Sequence, residues 1–465
     1  MSKWKEEKAY LYIALLFGVL FLILTPPFQS PDEDSHFKKA YQVSKGNLYS
    51  EVEKNEVGDY FPSDMLNYIE DKLTFIGDRD QKYSFSSMVG DQYAKMNYED
   101  QEFSSYSTAT IMPLAYAAPS LGITVSKVAA HIFDLDMVST SYMLYFARAF
   151  SLLLSIFLTY LAIKITPLFK KTFVVVSLLP MVLFLASMVT YDNILNSLTL
   201  LALALILRLT YDESIKTIPK KYFIALAIIG IVLLNVKTIY FLIFLLMFLI
   251  PVKKFKDKKG MIKTALILIG IILGATLLLK LPTLLQKVSS SGSDLVGQQI
   301  SYVLSHPWQF LVIIWNNIIN QRFFQLNSMV GLFGLIDTYL PFIAVFGIYI
   351  YLILIALSEG SSDSIKVKKS MKILAGIIVV VSIFAIYGVM YISWTPQLLK
   401  EVGGDQISGV QGRYFLPLLM PLLLLFSNKK IKDNRFFKAI RKNYLFVPIV
   451  MLTISVTTIL LRYWA

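Results

Sequence analysis

Cysteine is absent from all 465 residues. No disulfide, thiol nucleophile or thiolate metal site can therefore form. Histidine is nearly absent: His36, His131 and His306 are too few for a dedicated His-rich metal site. Charge is scarce at 16% of residues, against about 25% in an average soluble domain. There is no P-loop, dinucleotide fingerprint or serine-nucleophile elbow. No internal repeat is visible, which weakens an inverted-repeat transporter. What fills the chain is apolar: 56% of residues are hydrophobic and the mean hydropathy is +0.60. A soluble chain of this composition could not cover its surface with polar groups. Disorder, a coiled coil and a secreted disulfide scaffold are excluded. The composition predicts one polytopic, all-α membrane domain over residues 1–465, because a span needs about 20 mostly apolar residues.

The net charge is +13, and its distribution argues against nucleic acid. Residues 29–110 hold 16 acids and 8 bases, and the rest of the chain 15 acids and 36 bases. The bases cluster between apolar runs, as cytoplasmic loops do under the positive-inside rule. The first run, 9–25, follows Lys3, Lys5 and Lys8. Pro26, Pro27 and Phe28 follow it rather than a small-residue cleavage site, so a retained helix with a cytoplasmic N-terminus is expected. Residues 29–139 form a first external loop, too long for an ordinary connection. Within it, 111–133 contains Pro113 and Pro119 and reads as an interfacial or re-entrant helix. With that segment not crossing, every later lysine cluster falls inside. The remaining spans are 140–165, 172–189, 193–209, 222–237, 239–252, 261–281, 340–358, 371–393, 413–427 and 444–461, eleven in all. Residues 282–339 form a second external loop with an amphipathic part and a flexible point at Ser289–Gly292.

This topology turns Asp32, Glu33, Asp34, His36, Asp192, Arg322, Asp337, Asp405 and Arg413 outward. Charges near membrane depth are costly and usually functional. The sharpest motif is Ser30-Pro-Asp-Glu-Asp-Ser-His36-Phe37. A capping box accounts for Ser30, Pro31 and Glu33. It leaves Asp32 and His36 unexplained; they share a helical face at i,i+4. A carboxylate at the mouth of a membrane site suits a general base or a metal ligand. Tyr106 lies in a Tyr- and Pro-rich interfacial stretch, with an interfacial belt as the plain alternative. Arg148 lies inside a span, where pairing with an acid such as Asp192 is expected. Asp192 itself sits in a short turn. Asp337 reads as a cap in Gly331–Pro341. Lys237 and Arg413 are external cations against the charge bias. Arg413 stands beside Gly409 and Gly412 and before Tyr414, a setting that suits phosphate.

These motifs, in this order, resemble a bacterial family of multi-pass membrane proteins, domain of unknown function 2142. The matching stretches are Pro31-Asp32-Glu33 with His36-Phe37, Tyr106 to Pro119, Arg148, Ser187 to Asn196, Lys237, Gly331 to Pro341, and Gly409-Val-Gln-Gly-Arg-Tyr-Phe415. Asp34-Ser35 departs from the family, which more often has Pro-Ala there. The family in turn looks like the type-C glycosyltransferase (GT-C) superfamily. That resemblance implies a multi-pass cell-membrane enzyme with its site facing outward. It would take a sugar from a polyprenyl-phosphate carrier, such as undecaprenyl phosphate, and pass it to a cell-envelope glycan. Asp32 would be the base, and Glu33 would orient the acceptor or bind a metal. Asp32 and Glu33 remain alternatives for the base itself. Lys237 and Arg413 would hold the leaving phosphate, and His36 would support Asp32 or the phosphate. Tyr106, Arg148, Asp192, Asp337 and Tyr414 would line the substrate site. A divalent ion, Mg or Mn, is compatible with the acidic cluster but not demanded by it. The competing class is a transporter or flippase of lipid-linked glycans, using the same cations. A non-catalytic assembly protein has nothing specific in its favour.

Overall fold

A computed structural model describes residues 5–133, 138–285, 292–362, 365–427 and 435–464. Lys3, most of the expected flexible point at Ser289–Gly292, and positions 428–434 of the last lysine cluster lie outside the described residues.

The chain is an all-α polytopic membrane protein with a small β-containing loop region. Helix α1 (Glu6–Leu24) leads into α2 (Glu33–Ser44). Strands β1 (Glu51–Glu53), β2 (Glu56–Pro62) and β3 (Gln101–Ser105) pair antiparallel in the order β1-β2-β3. Lys54 and Asn55 have φ of 50° and 69°, as a tight two-residue hairpin requires. Helices α3 (Ser63–Leu73) and α4 (Phe85–Gln92) fill the long β2–β3 connection. A 3-10 turn, Pro113–Tyr116, opens α5 (Ala117–Ile132), which packs on α2 and on α6 (Thr140–Ile165). A Cβ on Gly122 would sit 2.5 Å from the Phe146 carbonyl oxygen, so glycine lets the two backbones touch. At 16 residues α5 is short for a span, and it leaves Leu121, Val128 and Ile132 exposed.

Helices α7 (Lys170–Ser177) and α8 (Pro180–Ala186) follow, then α9 (Asp192–Tyr211) and α10 (Lys220–Val236). All of α9 except Arg208 is buried, as an all-round apolar helix should be. Next come a 3-10 run, Thr238–Leu249, and α11 (Lys258–Leu285), which projects from the bundle with most of its apolar residues exposed. Helices α12 (Gly292–Ser305), α13 (Pro307–Asn320) and α14 (Arg322–Val330) and a hairpin of β4 (Leu332–Phe333) and β5 (Thr338–Tyr339) form the second loop. The chain closes with α15 (Phe342–Ser362), α16 (Lys369–Val389), α17 (Thr395–Leu399), α18 (Leu416–Leu423), α19 (Arg435–Lys442) and α20 (Phe446–Tyr463).

All eleven expected apolar segments are helical, but among the described residues only seven helices are long and apolar enough to cross a bilayer. The segment at 172–189 breaks between α7 and α8, where Pro180 has no N–H to continue the ladder. The segment at 239–252 winds as a 3-10 helix. At about 2.0 Å rise per residue, its 12 residues reach roughly 24 Å instead of the 18 Å of an α-helix.

The two ends of the bundle differ in charge. At one end Lys171 donates to the Arg441 carbonyl, Arg441 to Ser358, Lys254 to the Asp212 carbonyl and Lys372 to Ser427. The lysine clusters thus meet there. At the opposite end lie the acidic loop region and the junctions α1–α2, α8–α9 and α10 with Thr238–Leu249.

Candidate functional site

Thr25-Pro26-Pro27 ends α1, because proline cannot continue the ladder and restricts the residue before it. The chain then turns through two left-handed residues, Phe28 and Asp32, each at φ 62°. Neither is glycine. A left-handed non-glycine residue costs roughly 1–2 kcal/mol and persists where its surroundings hold it, often at functional sites. Phe28 is locked against Phe37, with ring centroids 5.5 Å apart.

The expected capping box does not form. Ser30 Oγ is buried without a partner, and Asp32, not Ser30, precedes the first residue of α2. The cause is Glu33, which is drawn elsewhere. Its carboxylate takes Arg148 Nε at 2.8 Å and Nη2 at 2.5 Å, and the Val189 N–H at 3.0 Å. Arg148 also donates to the carbonyls of Leu22, Thr25 and Pro26. Both side chains are 0% exposed. The partner of Arg148 is therefore Glu33 and not Asp192. Neither residue can reach a substrate: Glu33 has no free edge for an acceptor or a metal, and Arg148 is a clamp on the turn before Asp32.

The same turn delivers Asp32 to Arg413. Arg413 Nη2 donates to Asp32 Oδ2 at 2.5 Å, and Nη1 to the Pro31 carbonyl at 3.3 Å. Arg413 Nε lies 3.5 Å from Asp192 Oδ2. Arg413 is thus shared between two acids, one in the α1–α2 turn and one in the first turn of α9. Asp32 is accessible, at 54% of its side chain, although protein surrounds most of it; Arg413 is 4% exposed. Loss of water tends to raise the Asp32 carboxyl, but Arg413, with smaller help from His36 and Lys237, outweighs it and holds the group below the usual carboxylate range.

Lys237 enters from the break between α10 and Thr238–Leu249. Its ammonium lies 3.5 Å from the Tyr414 ring centroid, 5.7 Å from that of Tyr191 and 5.9 Å from that of Tyr240. These rings hold it by cation–π attraction, yet the buried Nζ has no hydrogen-bond acceptor. His36 donates or accepts at Nδ1 with the Tyr116 hydroxyl at 2.7 Å, and its Nε2 lies 3.4 Å from Thr190 Oγ1. Burial pushes its pKa down to about 4, so it is neutral at pH 7. Its ring braces the α8–α9 turn and makes no bond to the Asp32 carboxylate; the link between the two residues is the His36 N–H donating to the Asp32 carbonyl at 3.0 Å.

Of the residues singled out from sequence, the fold gathers Asp32, His36, Asp192, Lys237, Arg413 and Tyr414. Asp337 stands apart. It pairs with Arg462 at 2.8 Å and caps no helix. Arg462 also donates to the carbonyls of Phe75 and Asp78, so this pair fastens the first loop to α20. Tyr106 belongs to a separate polar group with Gln42 and Ser50. Tyr191, Tyr240, Tyr116 and Thr190 were not named as site residues, although Tyr116, Thr190 and Tyr191 lie within the stretches Tyr106–Pro119 and Ser187–Asn196 singled out above. Tyr240 lies outside them, three residues beyond an isolated lysine. Among the described residues no three His, Asp or Glu side chains converge as a metal-ligand set. The donors present therefore do not fit the divalent ion considered above.

No curated protein matches the chain, and no solved structure does. A family model described as "Predicted membrane protein (DUF2142)" matches residues 15–422, a stretch holding the Asp32 turn, the Arg148 clamp, Lys237 and Arg413. The chain therefore belongs to the DUF2142 family of membrane proteins.

Proposed function

We propose that the chain is a membrane glycosyltransferase. It moves a sugar from a polyprenyl-phosphate-linked donor to a hydroxyl of a cell-envelope glycan or polymer, at the outer face of the cell membrane. One observation carries this reading. A strained, accessible carboxylate sits beside two buried cations, and one of them, Lys237, has no acceptor for its N–H groups. A buried polar group left unsatisfied needs an explanation, and an anionic ligand supplies one.

Asp32 accepts the proton of the acceptor hydroxyl. The oxygen attacks the anomeric carbon and a new C–O bond forms there. The bond to the lipid phosphate breaks, and its electron pair leaves with the phosphate. Arg413 and Lys237 stabilise the charge that develops on that leaving group. A phosphate at Arg413 also weakens the hold of that guanidinium on Asp32, which makes the carboxylate a stronger base when the donor is bound. Asp192 keeps Arg413 aimed. A transporter would call for charges along a path through the bilayer. Here the buried ion pairs of the turn, the Arg413 cluster and the Asp337 latch gather at the loop end. The direct test is transfer from synthetic polyprenyl-phosphate sugars by purified protein. Translocation of the donor across vesicles without transfer would establish the transport reading instead.

The lysine-rich end is assigned to the cytoplasm by the positive-inside rule, which turns Asp32 outward. A Lys256→Cys variant is expected to react with an impermeant maleimide only after the cells are opened. Labelling in intact cells would reverse the orientation. A second expectation concerns Arg413. A charge-assisted contact to phosphate is worth about 1.5–3 kcal/mol. Arg413→Ala should therefore weaken donor affinity, turnover or both by at least about tenfold. Arg413→Lys should restore only part, since the fork that spans Asp32 and Asp192 is lost. Unchanged donor affinity and turnover in Arg413→Ala would remove this residue from the site.

A further inference from the structure

Lys39 lies seven residues after Asp32, about 10 Å along the axis of α2. It is 1% exposed. Its ammonium donates to the Ala109 carbonyl at 2.7 Å, Ser50 Oγ at 3.2 Å and Gln42 Oε1 at 3.3 Å, all of them neutral. Among the described residues no carboxylate pairs with it. Asp59, the acid whose charge bears on it, is paired with Lys45 at 3.5 Å. A buried cation held only by neutral groups is uncompensated.

The recess that Lys39 lines also contains Lys280, Asn235 and Thr283. Lys280 is exposed on α11 and likewise has no acidic partner among the described residues. Asn235 is nine-tenths buried. Its amide donates to the Ile231 carbonyl and to Thr276 Oγ1, both at 2.8 Å, while its Oδ1 accepts nothing. Through Leu48, Met112, Pro113 and Leu279 the recess continues into a largely apolar groove between the end of α2 and α5, with Leu279 of α11 at its edge. Leu114 and Leu121 wall that groove and are themselves 44% and 53% exposed. A buried cation without an acid, an exposed lysine and an orphan acceptor thus share one recess that opens into an apolar groove.

We propose that this recess and groove bind an anionic glycerophospholipid of the surrounding bilayer. Its phosphodiester sits at Lys39 and Lys280, a headgroup hydroxyl donates to Asn235 Oδ1, and an acyl chain lies along the α2–α5 groove. Phosphatidylglycerol has this chemistry: one negative charge and a hydroxylated headgroup. Phosphatidylcholine carries no net charge and no headgroup donor. The site shares no residue with the Asp32–Arg413 cluster and does not depend on any reaction there.

The test is native mass spectrometry of the full-length protein in neutral detergent, titrated with dioleoyl phosphatidylglycerol or dioleoyl phosphatidylcholine. Phosphatidylglycerol is expected to bind at least about tenfold more tightly, as one charge-assisted contact allows, and to raise the melting temperature. Lys280→Gln, an exposed change that should fold, is expected to abolish both effects, and Lys39→Met likewise. Lys259→Gln, on the first turn of α11, should leave them intact. Equal binding of the two lipids, or unchanged binding in Lys280→Gln, would overturn the proposal. So would equal losses in Lys259→Gln and Lys280→Gln. Loss of phosphatidylglycerol binding in Arg413→Ala with Lys280→Gln unaffected would also overturn it, by moving the lipid to the Asp32 cluster.

Discussion

Asp32→Asn is expected to lower turnover by about 10²–10⁴-fold, the usual worth of a general base, with the melting temperature close to that of the unaltered protein. Asparagine is the right replacement because it tolerates a left-handed backbone at least as well as aspartate does. The φ of 62° at this position is then kept, and only the proton acceptor is lost. Donor binding should survive, since Arg413 and Lys237 remain. The pH dependence adds a second readout. In the free protein Arg413 holds the Asp32 carboxyl below its ordinary range. The acid limb of kcat/KM, which reports the free enzyme, should therefore lie below the usual carboxylate pKa of about 3.9. The acid limb of kcat reports the complex, where the donor phosphate shares Arg413, and should lie at higher pH. Near-normal turnover in Asp32→Asn would leave Asp32 a merely structural partner of Arg413.

Arg148→Met should be the most destabilising single change. It leaves Glu33 ionised and buried with only the Val189 N–H to hold it, and breaking one side of a buried pair costs about 3–5 kcal/mol. It also frees the carbonyls of Leu22, Thr25 and Pro26 at the end of α1. Arg148→Lys should recover little, because one ammonium cannot replace a fork serving one carboxylate and three carbonyls. The double variant Arg148→Met with Glu33→Gln removes the orphaned charge, and should regain a large part of the loss. Thermal unfolding in detergent measures all three. A destabilisation of less than about 1 kcal/mol in Arg148→Met would contradict the clamp.

The architecture was readable because it depends on long-range averages. Apolar runs and lysine clusters are properties of whole segments, and they located the apolar helical stretches of the bundle and revealed the existence of α5. Local departures were not readable. Nothing in Leu178-Leu179-Pro180 distinguishes a kink from a full break, and nothing in Thr238–Leu249 announces a 3-10 winding; both are set by what packs around them. The site divides in the same way. Isolated cations in unexpected places pointed to Lys237 and Arg413. Pairing did not follow, because Glu33 and Arg148 are 115 residues apart and either acid of the Asp32-Glu33 pair could have met either arginine. The capping box failed for a related reason. Its worth is about 1 kcal/mol, and a buried arginine competing for the same glutamate decides the geometry.

The Asp32–Arg413 contact joins residues 381 positions apart. At about 5–20 residues per second, a ribosome takes roughly 20–75 s to travel between them. Throughout that interval Asp32 is without its guanidinium. The Glu33–Arg148 clamp closes over 115 residues and is complete within the first quarter to third of that time. The turn is thus set early, by α6, the second long apolar helix of the growing bundle, rather than by its eventual partner. Arg413 arrives last, at a shape already made. Trp464, which donates to the Leu24 carbonyl across 440 residues, then ties the end of the chain back to the helix that entered the bilayer first.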